Sequence, residues 1–213
     1  MTTAPPTISP SLPPPGGFFL RSQVDLDEWP AKLRRYRLGL GLYIASVIML
    51  FVGFSSAYIV RRGIPTYEAA TGTYSASWEP LQLPLTLLLL NTVLLAGASA
   101  AIEIARRKRP GLGWLALCLF LSVGFVVGQG IVWHRLRLDG RFMQSGARTA
   151  FFYILTGTHA FHAILGVALV CWIALRLRHW QPVRRYVAID LSAWYLHSMT
   201  VLWIYLFCFL LWA

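Results

Sequence analysis

The sequence predicts an all-α membrane protein, a bundle of five transmembrane helices, and three observations support this fold class. Five mostly apolar windows are each long enough to cross the roughly 30 Å bilayer core as a helix; they cover 38–60, 81–104, 112–133, 150–175 and 191–213. Charged residues make up only 13% of the 213-residue chain, about half the share that is typical of soluble domains. Glu103 is the only Asp, Glu, Lys or Arg inside the windows, as expected where a mid-bilayer charge costs about 2.5–3.5 kcal/mol.

The positions of the basic residues predict how the helices are oriented. Thirteen of the nineteen lysines and arginines precede the first window or lie in the loops after the second and fourth windows. Such an excess in short loops marks the cytoplasmic side, so we expect a cytoplasmic N-terminus and a periplasmic C-terminus. The net charge of +11 then reflects membrane topology and attraction to anionic phospholipids. We therefore expect a multi-pass protein of the bacterial inner membrane and no nucleic-acid partner.

The chain divides into a tail and a membrane domain. Residues 1–30 are rich in proline and are predicted to be a cytoplasmic tail, disordered or in polyproline II conformation as far as about Phe18. Residues 31–213 form the predicted five-helix domain. The first apolar run, from Leu38, is long enough to span a bilayer and has no small-residue cleavage site, so we expect no cleaved signal peptide.

Histidine and amide side chains inside the windows are candidate functional residues, because polar groups are costly in lipid. His159 and His162 are spaced i, i+3 and share one face of the fourth helix. Two histidines are too few for a closed metal site, and His197 is expected in the other half of the membrane. We therefore favour structural roles for the histidines. Asn91 and Gln129, together with neighbouring threonines, are expected to form hydrogen bonds between helices.

Glu103 lies three residues before Arg106, and two interpretations are open. The favoured one is an ion pair across one helical turn, with the carboxylate reaching the membrane boundary. The alternative is a proton relay. The sequence contains no visible nucleophile–base pair, phosphate-binding loop or carboxylate pair. It therefore predicts no catalytic, metal or cofactor site in this chain.

Four sequence motifs follow one another in the order found in a single family. They are Leu90-Asn91-Thr92 in the second window, Gly128-Gln129 with Trp133 in the third, the stretch from Phe151 to Gly166 with His159 and His162 in the fourth, and Trp194-Tyr195 with His197 and Trp203 in the fifth. Together they resemble subunit III of the haem–copper oxidases, the cytochrome c oxidase subunit III family. The five windows correspond to the shorter, five-helix members of that family.

The resemblance implies a non-catalytic subunit of a respiratory oxidase, which reduces oxygen to water and translocates protons. In that family the haems and coppers belong to the partner subunits I and II. Subunit III packs beside subunit I and binds phospholipid between its helices. The resemblance implies that His159, His162 and His197 help to hold the bundle and its lipid cleft. It leaves open whether cytochrome c or quinol donates the electrons.

Three departures from the family pattern keep other functions open. Val47, Val132 and Thr200 stand where the family commonly has a carboxylate, so a proton-buffering role for these positions is not expected here. A subunit III-like accessory protein of a nitric oxide reductase is the first alternative. A small transporter or assembly factor is the second, although transporters usually contain broken helices or midplane polar groups at a repeat interface.

Overall fold

Five long helices make up the computed structural model, which describes residues 17–68, 72–75, 83–107, 112–144, 146–176 and 179–212. For residues 17–32, 66–68, 73–75, 182 and 183 only the backbone is described. The helices are α1 (Gly17–Gly63), α2 (Leu85–Arg107), α3 (Leu112–Leu138), α4 (Ala147–Arg176) and α5 (Pro182–Trp212). Within the described residues, each helix contains a segment long and apolar enough to cross a membrane. The predicted all-α fold class with five spans is confirmed.

The helices extend beyond the windows that hydropathy predicts. Helix α3 continues to Leu138, and α5 begins at Pro182, well before residue 191. Hydropathy marks only the part of a helix in the lipid core, whereas hydrogen bonding carries the helix into the interface. Proline is favoured in the first turn of a helix, where its missing N–H would have no helical partner.

Helix α1 begins within the predicted tail of residues 1–30, close to Phe18, where the predicted disorder ends. Its backbone is helical from Gly17, so residues 17–30 belong to a helix. Residues 1–16, which contain most of the prolines of the tail, lie outside the described residues. The disorder of the tail therefore stays a prediction.

A short β-hairpin lies in the connection between α1 and α2. Its strands are β1 (Thr66–Glu68) and β2 (Thr73–Ser75), which pair antiparallel with Tyr67 opposite Tyr74. Gly72 adopts a φ of 64° just before β2, a conformation that glycine reaches at little steric cost. These residues fall between the first two apolar windows, and strands of three residues are too short to show an alternating pattern in the sequence.

Helices α2, α3, α4 and α5 form a four-helix arrangement in which α2 and α4 each pack against both α3 and α5. Two contacts along each pair of neighbours show that they run antiparallel. Residues of α1 from Leu40 onward pack on α4 and α5 through aromatic side chains. Tyr58, for example, lies 5.5 Å from Phe151 and 5.1 Å from Phe209 between ring centroids. This part of α1 therefore covers the seam between α4 and α5.

Small residues bring α2 and α3 close together. Ala98, Ala101 and Ala105 of α2 are buried. A Cβ built on Gly97 would lie 3.2 Å from the Leu121 side chain, and one built on Gly128 would overlap the Asn91 amide. Close approach of backbones maximises van der Waals contact in lipid, where the hydrophobic effect does not drive helices together.

Candidate functional site

His159 lies at the point where four helices meet. This α4 residue is fully buried. Its ring centroid lies 5.7 Å from that of Phe125 in α3, 5.1 Å from Trp203 in α5 and 6.5 Å from Phe51 in α1. Neither ring nitrogen has a hydrogen-bond partner among the described residues. Aromatic side chains thus surround the imidazole at the centre of the bundle.

Two tryptophan–threonine hydrogen bonds cross between helices on either side of His159. The indole N–H of Trp203 in α5 donates to Thr92 Oγ1 in α2 at 3.0 Å, and that of Trp133 in α3 donates to Thr156 Oγ1 in α4 at 3.1 Å. Each threonine hydroxyl in turn donates to a carbonyl one turn earlier in its own helix. A hydroxyl can accept and donate at once, so each threonine satisfies an indole without leaving its own proton unpaired.

The amides of Asn91 and Gln129 are both buried in the bundle. Asn91 lies directly over Gly128, where a side chain would collide with it. The interhelical hydrogen bonds predicted for the two amides are not seen among the described residues, since Asn91 Nδ2 and both Gln129 amide atoms have no partner there. The structure shows instead that Asn91 fills the space left by a glycine. Sequence reasoning missed this packing role, which depends on the register of α2 against α3.

His162 lies on the same side of α4 as His159 and is also buried. Its Nδ1 is 2.7 Å from the carbonyl oxygen of Thr158, so this nitrogen must carry the proton that it donates. The carbonyl of His162 accepts a hydrogen bond of 2.7 Å from the Tyr195 hydroxyl of α5. Its ring packs against Phe51 of α1 at 6.1 Å between centroids. His162 therefore joins α1, α4 and α5.

A second polar cluster links the C-terminal end of α2 to the first half of α5. The carboxylate of Glu103 accepts hydrogen bonds from the Arg106 guanidinium at 2.8 and 2.9 Å, which is the predicted ion pair. It also accepts one from Arg107 at 2.6 Å. The third partner is His197 of α5, whose Nε2 lies 3.2 Å from Glu103 Oε2. Glu103 thus bridges two helices as well as pairing within its own.

The same cluster contains two residues that the sequence did not single out for this role. Asp190 is fully buried and lies 3.2 Å from Arg106 Nη1. Ser99 Oγ lies 2.5 Å from His197 Nδ1. With Nε2 donating to Glu103 and Nδ1 accepting from Ser99, His197 has both ring nitrogens satisfied. Asp190 directly precedes the fifth predicted window, which was its only signal in the sequence.

Among the described residues, no group of three or more His, Cys, Asp or Glu side chains is placed to hold a metal ion. His197 pairs with Glu103 and Ser99, while His159 packs against aromatic rings. The arrangement can hold helices together, and the described residues show no constellation for acid–base or nucleophilic chemistry.

The three positions where the family commonly carries a carboxylate are all buried. Val47 is 5% exposed, Val132 is fully buried and Thr200 is 7% exposed. The Thr200 hydroxyl donates to the Leu196 carbonyl of its own helix at 2.8 Å. No charge is carried at these three places, and each side chain fits its apolar surroundings.

Comparison with known proteins identifies the family. The profile of the cytochrome c oxidase subunit III family matches residues 28–213. The chain is 30% identical over 191 residues to cytochrome c oxidase subunit 3 of Prototheca wickerhamii, covering 83% of this chain and 69% of the relative. It is 28% identical to the corresponding protein of Pylaiella littoralis, over 83% of this chain and 66% of that relative, slightly less than two thirds of its length.

A bacterial relative is matched over more of its own length. The chain is 29% identical to the probable cytochrome c oxidase subunit 3 of Nocardia farcinica over 178 residues, which is 80% of this chain and 84% of the relative. The family match over residues 28–213 covers α1 from residue 28 onward, the whole of α2 to α5, both polar clusters and the four motifs. The chain belongs to the cytochrome c oxidase subunit III family.

Proposed function

We propose that the chain is the non-catalytic subunit III of a haem–copper terminal oxidase, in which oxygen is reduced to water and protons are translocated. The match of the subunit III family to residues 28–213 is the observation that carries this proposal. The packing of the bundle is consistent with a structural subunit, because several of its polar side chains form hydrogen bonds between helices.

The partners in this proposal are oxidase subunits I and II, which would hold the haems and coppers. The chain would pack beside subunit I and stabilise it. The charge distribution supports a cytoplasmic N-terminus and a periplasmic C-terminus. The complex is proposed to lie in the inner membrane of a bacterium.

His159, His162, His197, Trp203, Gln129, Asn91 and Glu103 are proposed to hold the bundle, with phospholipid bound between its helices. The contacts of four of them support this. The His162 carbonyl of α4 accepts a hydrogen bond from α5, and the Trp203 indole of α5 donates one to α2. Glu103 of α2 contacts His197 of α5. The proton-relay role of Glu103 stays an open prediction. Its three basic neighbours favour the structural interpretation.

The test is to purify the tagged chain with its partners in mild detergent. A reduced-minus-oxidised optical spectrum of the preparation detects haem, and electrodes measure uptake of oxygen and of nitric oxide. The proposal predicts a haem-bearing partner and oxygen uptake. A haem-free preparation from cells that express the oxidase core would contradict it and would favour a transporter or assembly factor.

A second candidate is an accessory protein of a nitric oxide reductase. The specific observation in its favour is the absence of carboxylates at Val47, Val132 and Thr200, since a reductase that pumps no protons would not need them. In the same assay this function predicts haem in the preparation with nitric oxide uptake and no oxygen uptake.

A further inference from the structure

A cavity opens where α3 ends and α4 begins. Its volume is about 400 Å³, and Trp133, Arg137, Phe142, Met143, Gln144 and Tyr153 line it. The wall is built from the last turns of α3, the connecting turn and the start of α4. The Tyr153 hydroxyl lies 3.1 Å from the Arg141 carbonyl and 3.4 Å from the Trp133 carbonyl. These hydrogen bonds tie the turn and α4 to α3, so the cavity is preformed.

The depth of the cavity in the membrane follows from its position on α3. The stretch of α3 that is long and apolar enough to cross a membrane runs to Leu138, so Arg137 lies in its last turn and Trp133 one turn earlier. Tryptophan and tyrosine concentrate at the level of the lipid headgroups and ester groups. The cavity is therefore expected at the level where lipid phosphate meets the acyl chain.

The lining combines a cationic side chain with apolar side chains, as a site for an anionic amphiphile requires. Arg137 is exposed and forms no ion pair with any of the described residues. Phe142 and Met143 beside it are 51% and 52% exposed. A guanidinium binds phosphate oxygens with two parallel hydrogen bonds, while the apolar side chains suit the first part of an acyl chain.

The charge around the cavity favours a negatively charged occupant. The segment 133–153 contains four arginines and a single acidic residue; these are Arg135, Arg137, Arg141, Arg148 and Asp139. A zwitterionic headgroup would bring a positive group into this field, whereas an anionic headgroup would not.

We propose that this cavity, at the end of the bundle opposite the Glu103–His197 cluster, is a binding site for an anionic phospholipid whose phosphate is held by Arg137. The proposal deepens the lipid-binding part of the proposed function. It requires only that the chain lies in a bilayer, and does not depend on which acceptor the complex reduces.

The test is native mass spectrometry of the purified complex after exchange into phosphatidylglycerol or phosphatidylcholine of the same acyl length. Arg137→Gln removes the charge and keeps most of the side-chain length. The matched control is Arg135→Gln, which makes the same charge change two residues earlier on the same helix, outside the cavity lining. Met143→Ser tests the apolar half of the site.

We expect wild-type complex to retain one more phosphatidylglycerol than Arg137→Gln, and Arg135→Gln to behave as wild type. The phosphatidylglycerol concentration for half occupancy should rise about tenfold in Arg137→Gln, equivalent to about 1.4 kcal/mol. Met143→Ser should also lower retention. Phosphatidylcholine should show no difference between the two arginine variants.

Three results would overturn the proposal. The first is equal lipid retention by both arginine variants. The second is displacement of the bound lipid by millimolar inorganic phosphate as effectively as by phosphatidylglycerol, which would indicate a site for a free anion. The third is loss of a protein subunit from Arg137→Gln with unchanged lipid, which would indicate a protein contact. Lipid retention is scored whatever the redox activity, so a failure here is distinct from a failure of the oxidase assignment.

Discussion

Replacing Gly128 by alanine tests whether the register of α2 against α3 is as tight as the structure shows. A Cβ at this position would overlap the side-chain oxygen of Asn91 and lie 3.0 Å from its Cγ. Asn91 is 2% exposed, so its amide has little room to move away. Overpacking of this kind typically costs about 1–3 kcal/mol, which outweighs the gain of about 1 kcal/mol in helix propensity from glycine to alanine.

Gly130→Ala is the matched control, because a Cβ there meets nothing within 4 Å. We expect this control to be neutral or slightly stabilising and Gly128→Ala to unfold several degrees lower, as measured by a thermal-shift assay in the same detergent. In the double variant Asn91→Ala with Gly128→Ala, part of the loss should be recovered, since the colliding amide is removed. Equal melting temperatures for Gly128→Ala and Gly130→Ala would refute the packing argument.

Three further variants test other contacts of the bundle. Glu103→Gln removes the ion pairs to Arg106 and Arg107 and weakens the contact with His197, so the melting temperature should fall. Asp139→Asn makes the same carboxylate-to-amide change at an exposed position and should change the melting temperature little. Equal effects of the two variants would contradict the bridging role of Glu103. Trp203→Phe removes the 3.0 Å hydrogen bond to Thr92 and part of the packing on His159, so the free energy of unfolding should fall by about 1–3 kcal/mol. Unfolding by denaturant measures this change, and Trp194→Phe, at a 54% exposed position, is the control. Gly140 has a φ of 73° at the C-terminal cap of α3, where the Arg141 N–H donates to the Leu136 carbonyl at 2.9 Å. Gly140→Ala places a Cβ in this conformation and should lower the free energy of unfolding by about 1–2 kcal/mol. Gly146→Ala, at a position without a positive φ, should leave the free energy of unfolding unchanged.

The number of membrane spans could be predicted from the sequence because exclusion of charge from lipid leaves a direct signature in hydropathy. The ends of α3 and α5 could not, because a helix continues past the lipid core wherever its backbone is hydrogen-bonded. The β-hairpin at 66–75 also left no readable pattern. Its strands contain three residues each.

The candidate site could be predicted in part. The pairing of Glu103 with Arg106 follows from a spacing of one helical turn, and the structure contains it. Contacts between helices, such as Glu103 with His197 or Trp203 with Thr92, join residues about a hundred positions apart. Such contacts depend on which helices are neighbours and on their register, neither of which is encoded in local spacing. The role of Asp190 was missed for the same reason.

We propose that this chain supports a haem–copper oxidase whose redox centres belong to its partner subunits. The most direct test compares oxygen uptake and the haem spectrum of the purified complex before and after removal of this chain. We expect the haem content per core to stay unchanged. Without the chain, oxygen uptake should decay faster during turnover, and adding the chain back should restore the slower decay. Loss of haem or copper together with the chain, or a metal signal from the isolated chain, would contradict it.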